Sequence, residues 1–343
     1  MQYSLLGNTG LAVSRLCFGG MSFRDNNPGF GTLAKVRGAD ADAMIGRTLE
    51  AGINFFDTAD VYSSGDSELM LGAALKSRRN DVVISTKVGM RTGSALTQSG
   101  LSRRHIFWSV EQSLQRLGTD WIDVYIVHRE DALTPLEESL QALDDIVRAG
   151  KVRYIGFSNW SAWNAAAALE IQKANGWARF THGQMYYSML CRDVEADVIP
   201  MMRRYGVGLT VWSPLAGGFL SGKYTRETMA DPANRRADFD FPPLDKEQGL
   251  KLVDKLRPVA QRHQASVAQV ALAWLLTNSA VTSVLIGATK LSQLDDNLGA
   301  VKVRLSADDM NTINEATAPA PRYPNWFDAM VADSQVQTAI GKT

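Results

Sequence analysis

The chain lacks most of what would tie it to a membrane, to nucleic acid or to export. No apolar run reaches the roughly 18 residues of a spanning helix. Lys plus Arg number 36 and Asp plus Glu number 36, so there is no net charge and no basic footprint for nucleic acid. The start, "MQYSLLGNTG", has no basic region followed by an apolar stretch, so no secretory signal is expected. Only two cysteines occur, Cys17 and Cys191, too far apart in sequence to form a metal-type pair. Cys17, inside "RLCFGG", reads as a small core residue. His105, His182 and His263 fall on a helix start, a strand and a helix, without ligand spacing, so no metal is expected. These absences fit a soluble protein of a reducing cytoplasm. A glycine fingerprint is missing too: after the first strand the text reads "FGGMSF", with no G-x-G-x-x-G.

What is there is a repeat. The composition, 45% hydrophobic and 21% charged over 343 residues, is that of a globular protein with a large core. Length alone allows one α/β barrel or two smaller domains. Runs rich in Val, Ile, Phe and Tyr start near residues 15, 53, 82, 122, 152, 180, 208 and 282. Before them, "YSLLGNTGLAVS" reads as a hairpin around the turn residues "GNTG". Helical patterns separate most of the runs. "ADAMIGRTLEAG" puts Met44, Ile45, Thr48 and Leu49 on one face. "RRHIFWSVEQSLQRLG" carries Ile106, Val110, Leu114 and Leu117, with Gly118 as C-cap. "PLEESLQALDDIVRAG" opens with Pro135 in its first turn and stops at Gly150.

The runs are apolar on both faces, as parallel strands covered by helices must be. Eight strand–helix units are the number that closes a (β/α)8 TIM barrel. An open doubly wound sheet is the runner-up, and it would ordinarily advertise the missing fingerprint. The whole chain, 1–343, is therefore expected to be one barrel domain behind a short N-terminal β-hairpin. Residues 319–343 form a tail, either a functional segment or a packing strap. Two loops break the repeat, at 23–40 and 221–248. Both follow strands, on the face where barrels build their sites.

Three strand-like runs end in groups that carry or share a proton. "INFFD" ends on Asp57, "VVISTK" on Lys87 and "IDVYIVH" on His128. Tyr62 lies one short loop beyond Asp57. A barrel brings the ends of neighbouring strands to one mouth, so these four groups become neighbours. Their chemistry is complementary. A phenol with a pKa near ~10 is a poor acid at neutral pH. An ammonium beside it favours the phenolate. A carboxylate keeps the ammonium charged and fixed, and an imidazole can donate to a substrate oxygen. Such a set delivers a proton to an oxygen that becomes alkoxide-like, which carbonyl reduction requires. Each residue alone also has an ordinary structural explanation, as a loop aromatic, a strand-end histidine or a rim ion pair. Their common position at the ends of consecutive strands favours a shared site.

With those residues in hand, the chain resembles the aldo-keto reductases. The resemblance runs from "LGNTGLAVSRLCFGG" to "IGATKLSQLDDNLGA" and is closest at "FFDTADVYSSGDSELMLGAAL". It implies a (β/α)8 barrel, a nicotinamide cofactor held without a Rossmann domain, and a tetrad of Asp57, Tyr62, Lys87 and His128. Tyr62 is then the general acid. "HRED" departs from the commoner family text after the histidine, which bears on substrate shape. By the same resemblance, Ser158, Asn159 and Gln184 meet the carboxamide, and Trp212 stacks on the nicotinamide ring. The backbone of Ser213, Pro214, Leu215 and Gly217, with Lys223, approaches the pyrophosphate. Gly287, Thr289, Lys290, Gln293, Asp296 and Asn297 surround the adenosine end, and Arg235 and Arg236 lie in a loop that folds over the diphosphate. Thr289 and Lys290 fall where a 2′-phosphate would sit, so the expected cofactor is NADPH/NADP+. The expected activity is reduction of a small-molecule aldehyde or ketone, reversible as alcohol oxidation. The resemblance extends to the regulatory β-subunits of potassium channels, the competing reading. Phe23, Phe30, Trp160, Tyr187, Phe219 and Trp326 are candidate aromatic liners, which makes an apolar or alicyclic carbonyl plausible.

Overall fold

The computed structural model describes residues 1–27, 34–230, 236 and 239–341. Phe30 and Arg235 lie outside these described residues. Two short strands, β1 (Tyr3–Leu5) and β2 (Ala12–Ser14), pair antiparallel as a hairpin. Eight strands then follow: β3 (Leu16–Gly19), β4 (Phe55–Asp57), β5 (Val83–Val88), β6 (Ile122–Val127), β7 (Val152–Ser158), β8 (Phe180–Tyr186), β9 (Gly208–Trp212) and β10 (Val281–Ile286). They pair parallel, in chain order, and β10 closes on β3. The fold is a (β/α)8 TIM barrel with an N-terminal hairpin. Closure makes β4 and β8 diametrically opposite.

Helices cover the outside: α1 (Gly38–Glu50), α2 (Asp66–Leu75), α3 (Arg103–Leu117), α4 (Leu136–Arg148), α5 (Ala162–Asn175) and α6 (Val198–Tyr205) each link consecutive strands. Two helices, Lys246–Arg262 and Val267–Thr277, occupy the last crossover. The expected faces are the buried ones. Met44, Ile45 and Thr48 of α1 are buried, with Leu49 at the margin. Ile106, Val110, Leu114 and Leu117 of α3 pack inward. Ser102 caps α3 by accepting the His105 N–H, and Gly118 ends it with φ 63°, a value that favours glycine. Pro135, expected in the first turn of α4, is instead its N-cap. Each fully buried Leu, Ile or Phe side chain in these layers is worth about 1.5–3 kcal/mol.

The barrel interior has its own core. Leu6 and Val13 of the hairpin region close its lower end against Cys17, Phe55, Val83, Val124, Ile126 and Leu285. Gly7 makes that approach possible: with φ 58°, a Cβ there would lie 2.1 Å from the Thr181 carbonyl oxygen. Above this apolar plug the inward positions turn polar. On β5, alternation sends Ser85 and Lys87 inward and Thr86 outward to Glu68 on α2. The tail carries two short helices, Asn325–Val331 and Ser334–Ala339. It is tied to the loop after β8 by an Arg322–Asp193 ion pair and by Asn325 donating to the Ala196 carbonyl.

Candidate active site

At the C-terminal mouth Lys87 is the hub. Its Nζ donates to Asp57 Oδ2 at 2.5 Å, to the Thr58 carbonyl at 2.7 Å and to Tyr62 Oη at 3.3 Å. The same ammonium stands 4.8 Å from the centroid of the Tyr62 ring. The His128 ring meets Tyr62 edge-on, centroids 5.9 Å apart. Asp57 is the last residue of β4, Lys87 the next-to-last of β5, and His128 the residue after β6. Asp57 and Lys87 are buried, whereas Tyr62 and His128 are partly exposed to the mouth. The four residues expected to converge are therefore together, with Tyr62 and His128 on the open side.

The electrostatics follow from this layering. Burial alone would lower the Lys87 pKa, but Asp57 and Tyr62 overcome it, and the net direction is upward. The ammonium is thus held charged. Burial pushes the Tyr62 phenol up, while Lys87 pulls it down by charge and hydrogen bond. Burial wins, with Asp57 and Asp60 adding to it, so the net direction is up. The ammonium lowers the phenol pKa as expected of it, but from a starting point that burial has raised. His128 is depressed to about 3, first by burial, then by Lys87 and Arg129, so it is a neutral imidazole.

The loop that carries Tyr62 is strained in place. Ser63 and Ser64 have φ of 48° and 54°, and Ser63 Oγ donates to the Phe23 carbonyl at 2.7 Å. Asn159, Ser213 and Ala216, in the loops after β7 and β9, also have positive φ. Such conformations cost about 1–3 kcal/mol each and collect where a site must be pre-shaped.

From Tyr62 an accessible strip runs around the mouth. Asn159, Lys223, Gly287, Thr289, Lys290 and Gln293 are exposed, and Trp212 and Ser213 are partly so. Asn159 Nδ2 donates to the His128 carbonyl and to Ser158 Oγ, both at 3.0 Å, and its Oδ1 accepts Trp212 Nε1 at 3.0 Å. Trp212 lies near-parallel to Tyr186 and to Phe241, at 4.9 and 5.7 Å between centroids. Thr289 N and Oγ1 both donate to Gln293 Oε1, and Asn297 Nδ2 donates to the Gly287 carbonyl. Pro214, Ser158 and Gln184 are buried beneath the strip, and Leu215 is partly so.

The sequence profile of the Aldo/keto reductase family matches residues 15–318. The chain belongs to the aldo/keto reductase family. It is 37% identical over 312 residues to a probable voltage-gated potassium channel subunit beta of Oryza sativa subsp. japonica, covering 88% of this chain and 92% of that one. It is 35% identical over 350 residues to an Arabidopsis thaliana protein of the same description, covering 95% and 100%. It is 32% identical over 345 residues to versiconal hemiacetal acetate reductase of Aspergillus parasiticus, covering 94% and 99%. Family membership makes the protein an oxidoreductase of carbonyl chemistry. Among the described residues no helix is long and apolar enough to cross a membrane.

Within this aldo/keto reductase barrel, several of the residues singled out in the sequence are bonded to other parts of the protein. Gln184, expected at the cofactor, turns inward and donates from Nε2 to Asp57 Oδ1 at 2.8 Å. Asp296 accepts from Ser266 Oγ at 2.8 Å and from Gln269 Nε2 at 3.0 Å, which ties it to the neighbouring helix. Arg236 is buried. It donates to the Ala216 and Pro242 carbonyls at 2.8 and 3.0 Å and pairs with Asp240, so it pins its loop onto the turn after β9. The aromatic-liner expectation is corrected for four residues. Phe23 and Phe219 are fully buried. Trp160 packs between Phe157 and Phe180. Tyr187 faces away from the barrel, bonded to Glu195 and Asn278. These rings fill the strand–helix layer, so they give no support for an apolar substrate. Trp326 is half-exposed on the tail, beside Tyr323 and Phe327.

Two parts of the site were not anticipated. Ser85 Oγ donates to Asp57 Oδ1 at 2.8 Å, from directly beneath Lys87. Behind the tetrad, Glu68 accepts from Thr86 Oγ1 at 2.5 Å and Arg116 at 2.6 Å, and Asp60 accepts from Ser109 at 3.0 Å. Burial and the Glu68 charge push the Asp60 carboxyl up to about 8.

Proposed function

We propose that the protein reduces an aldehyde or ketone to the alcohol with NADPH, reversibly, with Tyr62 as general acid. The observation that carries this reading is the Lys87 ammonium shared between Asp57 Oδ2 and Tyr62 Oη at the barrel mouth. The substrate oxygen would lie between Tyr62 and the neutral His128, which polarises it by donating a hydrogen bond. As negative charge develops on that oxygen, Tyr62 hands over its proton. Lys87, held by Asp57 and Thr58, then faces the phenolate left behind and stabilises it. In the oxidation direction the same phenolate takes the alcohol proton.

When bound, a reduced nicotinamide supplies the hydride. The strip beside the tetrad fits such a group. Asn159 offers the second lone pair of its Oδ1, Trp212 an aromatic surface and Ser213 a hydroxyl, while the N–H groups of the Asn159 amide and, in the Ser213–Gly217 turn, of Ala216 and Gly217 are taken within the site. Lys223 brings a cation toward that turn: its Nζ is 3.8 Å from where a Gly218 Cβ would stand. Thr289 and Lys290 supply a hydroxyl and a cation at the start of the helix Leu291–Leu298, which suits a 2′-phosphate.

Two relatives named as potassium channel β subunits lend weak support to a second reading, which we take to be an NADPH-binding regulatory subunit with little turnover. The complete tetrad supports the enzyme. A turnover screen with NADPH over aldehydes, ketosugars and alicyclic ketones separates the two. Tyr62→Phe keeps the ring and removes the proton, so turnover should fall about 10²-fold or more while NADPH binding holds. Unchanged turnover in that variant would sink the Tyr62 assignment. Tight NADPH binding with no turnover in the wild type would favour the regulatory reading.

A further inference from the structure

The carboxylate of the tetrad is held by more than its lysine. Asp57 Oδ2 faces Lys87, and Oδ1 accepts two further hydrogen bonds, from Ser85 Oγ and Gln184 Nε2, each 2.8 Å long. All four side chains are at most 2% exposed. An ionised carboxylate only accepts, so Gln184 must present its NH2 to Asp57, which fixes the orientation of the amide. Ser85 comes from the adjacent strand, in register with Asp57. Gln184 comes from β8, the strand directly opposite β4, and spans the barrel interior. A buried carboxylate with one free oxygen could turn and trade partners. Two donors on Oδ1 prevent that and leave Oδ2 to Lys87.

We propose that Ser85 and Gln184 are positioning residues of the reaction. They fix Asp57 so that the Lys87 ammonium stays charged and within reach of Tyr62. Gln184 then serves the proton-transfer machinery, whatever else it does at the rim. The inference rests on the reading of Tyr62 as general acid. Weakening the hold on Asp57 favours proton exchange within the buried Asp57–Lys87 pair, which would remove the ammonium that pulls the phenol pKa down. The phenol then becomes a weaker acid and its phenolate is less supported.

The test uses the full chain with Gln184→Met, Ser85→Ala and, as the conservative partner, Ser85→Thr. Ser85 is fully buried beneath Lys87, away from the exposed strip proposed for the cofactor, so it separates the two roles that Gln184 could have. The readouts are the pH profile of alcohol oxidation, the NADPH dissociation constant, the melting temperature and the Tyr62 phenolate. The phenolate is followed by ultraviolet titration, each protein being subtracted against its own Tyr62→Phe counterpart. Gln184→Met and Ser85→Ala should each move the phenol midpoint and the rising limb of the oxidation profile upward by about one pH unit, a tenfold weaker acid, and lower kcat about tenfold. Ser85→Ala should leave the NADPH constant unchanged, and Ser85→Thr should return the limb toward the wild type. Weaker NADPH binding in Gln184→Met with an unmoved midpoint would make Gln184 a cofactor contact only and overturn the proposal. So would a lower melting temperature with midpoint and limb unmoved. The phenolate titration needs no turnover, so a wild type that turned over no carbonyl would defeat the enzymatic reading and the role in a reaction, while the midpoints would still decide whether Ser85 and Gln184 set the Tyr62 phenol.

Discussion

Lys87 Nζ lies 3.3 Å from Tyr62 Oη and 2.5 Å from Asp57 Oδ2, so a single buried ammonium serves a carboxylate and a phenol at once. It is the main force lowering a phenol pKa that burial has raised. Replacing it should therefore let that pKa climb. In Lys87→Met the rising limb of the oxidation profile should move to higher pH, and reduction should slow. The variant also leaves Asp57 buried without its countercharge, a loss of about 3–5 kcal/mol for a broken buried pair. Kinetics across pH and a melting curve check both parts. A variant with wild-type rate and profile would reduce Lys87 to a rim ion pair.

His128 is neutral at every working pH, because burial, Lys87 and Arg129 depress it to about 3. The sign is that of a base whose charged form is disfavoured: it binds no proton until the pH falls through about 3. The profile of kcat/KM for reduction should therefore show no limb near the ordinary histidine value of about 6.5. His128→Gln, which keeps a neutral donor, should retain more activity than His128→Ala. A limb near 6.5 that vanishes in His128→Gln would mean that the imidazolium takes part.

Asp60 makes an opposite prediction, about stability. It is 2% exposed, and its Oδ1 has no hydrogen-bond partner among the described residues. Its carboxyl titrates at about 8 in the fold, against about 3.9 unfolded. Between these values the folded protein holds a proton that the unfolded chain has lost. Stability therefore falls as pH rises through the window, by up to ~5 kcal/mol across all of it. Asp60→Asn is neutral throughout and keeps the shape. Its melting temperature should gain on the wild type as pH rises from 5 toward 8, on the scale of that window. A constant difference across pH would show that Asp60 is ionised in the fold.

How much of this was legible in the sequence depends on what each residue's role requires. The barrel and the convergence of Asp57, Tyr62, Lys87 and His128 at its mouth were legible, because a residue ending a buried run needs only its own strand to be read. Ser85 was passed over in "VVISTK", although it lies two residues before Lys87 and strand alternation puts both on one face. The partner of Gln184 needs the closure of the barrel, since β4 and β8 meet only through the interior. Tyr187 was a misreading that alternation would have prevented. Tyr186 shares the face of Gln184 and stacks near Trp212, while Tyr187 turns out to Glu195. The burial of Phe23, Phe219 and Trp160 follows from helix packing, for which a single run of sequence carries no sign. Arg236 was expected only in a loop over the diphosphate, and its bonds to the Ala216 and Pro242 carbonyls depend on how that loop folds back.

The cofactor preference turns on Lys290. It is exposed and stands as N-cap of the helix Leu291–Leu298, next to Thr289. A 2′-phosphate there would meet a cation, a hydroxyl and the positive end of the helix. The nearby carboxylates do not compete for that place. Asp295 pairs with Arg47 at 2.7 Å, and Asp296 is taken by Ser266 and Gln269. Among the described residues neither of these carboxylates is presented to a ribose at this point, which argues for NADPH over NADH. A hydrogen bond to a charged group is worth ~1.5–3 kcal/mol, so Lys290→Ala should weaken NADPH binding roughly 10- to 150-fold. NADH binding should hardly change, because NADH has no 2′-phosphate. The half-exposed Trp212 offers a fluorescence signal for titrating both cofactors against both proteins. Equal losses for the two cofactors would remove Lys290 from the phosphate, and tighter NADH than NADPH in the wild type would reverse the preference.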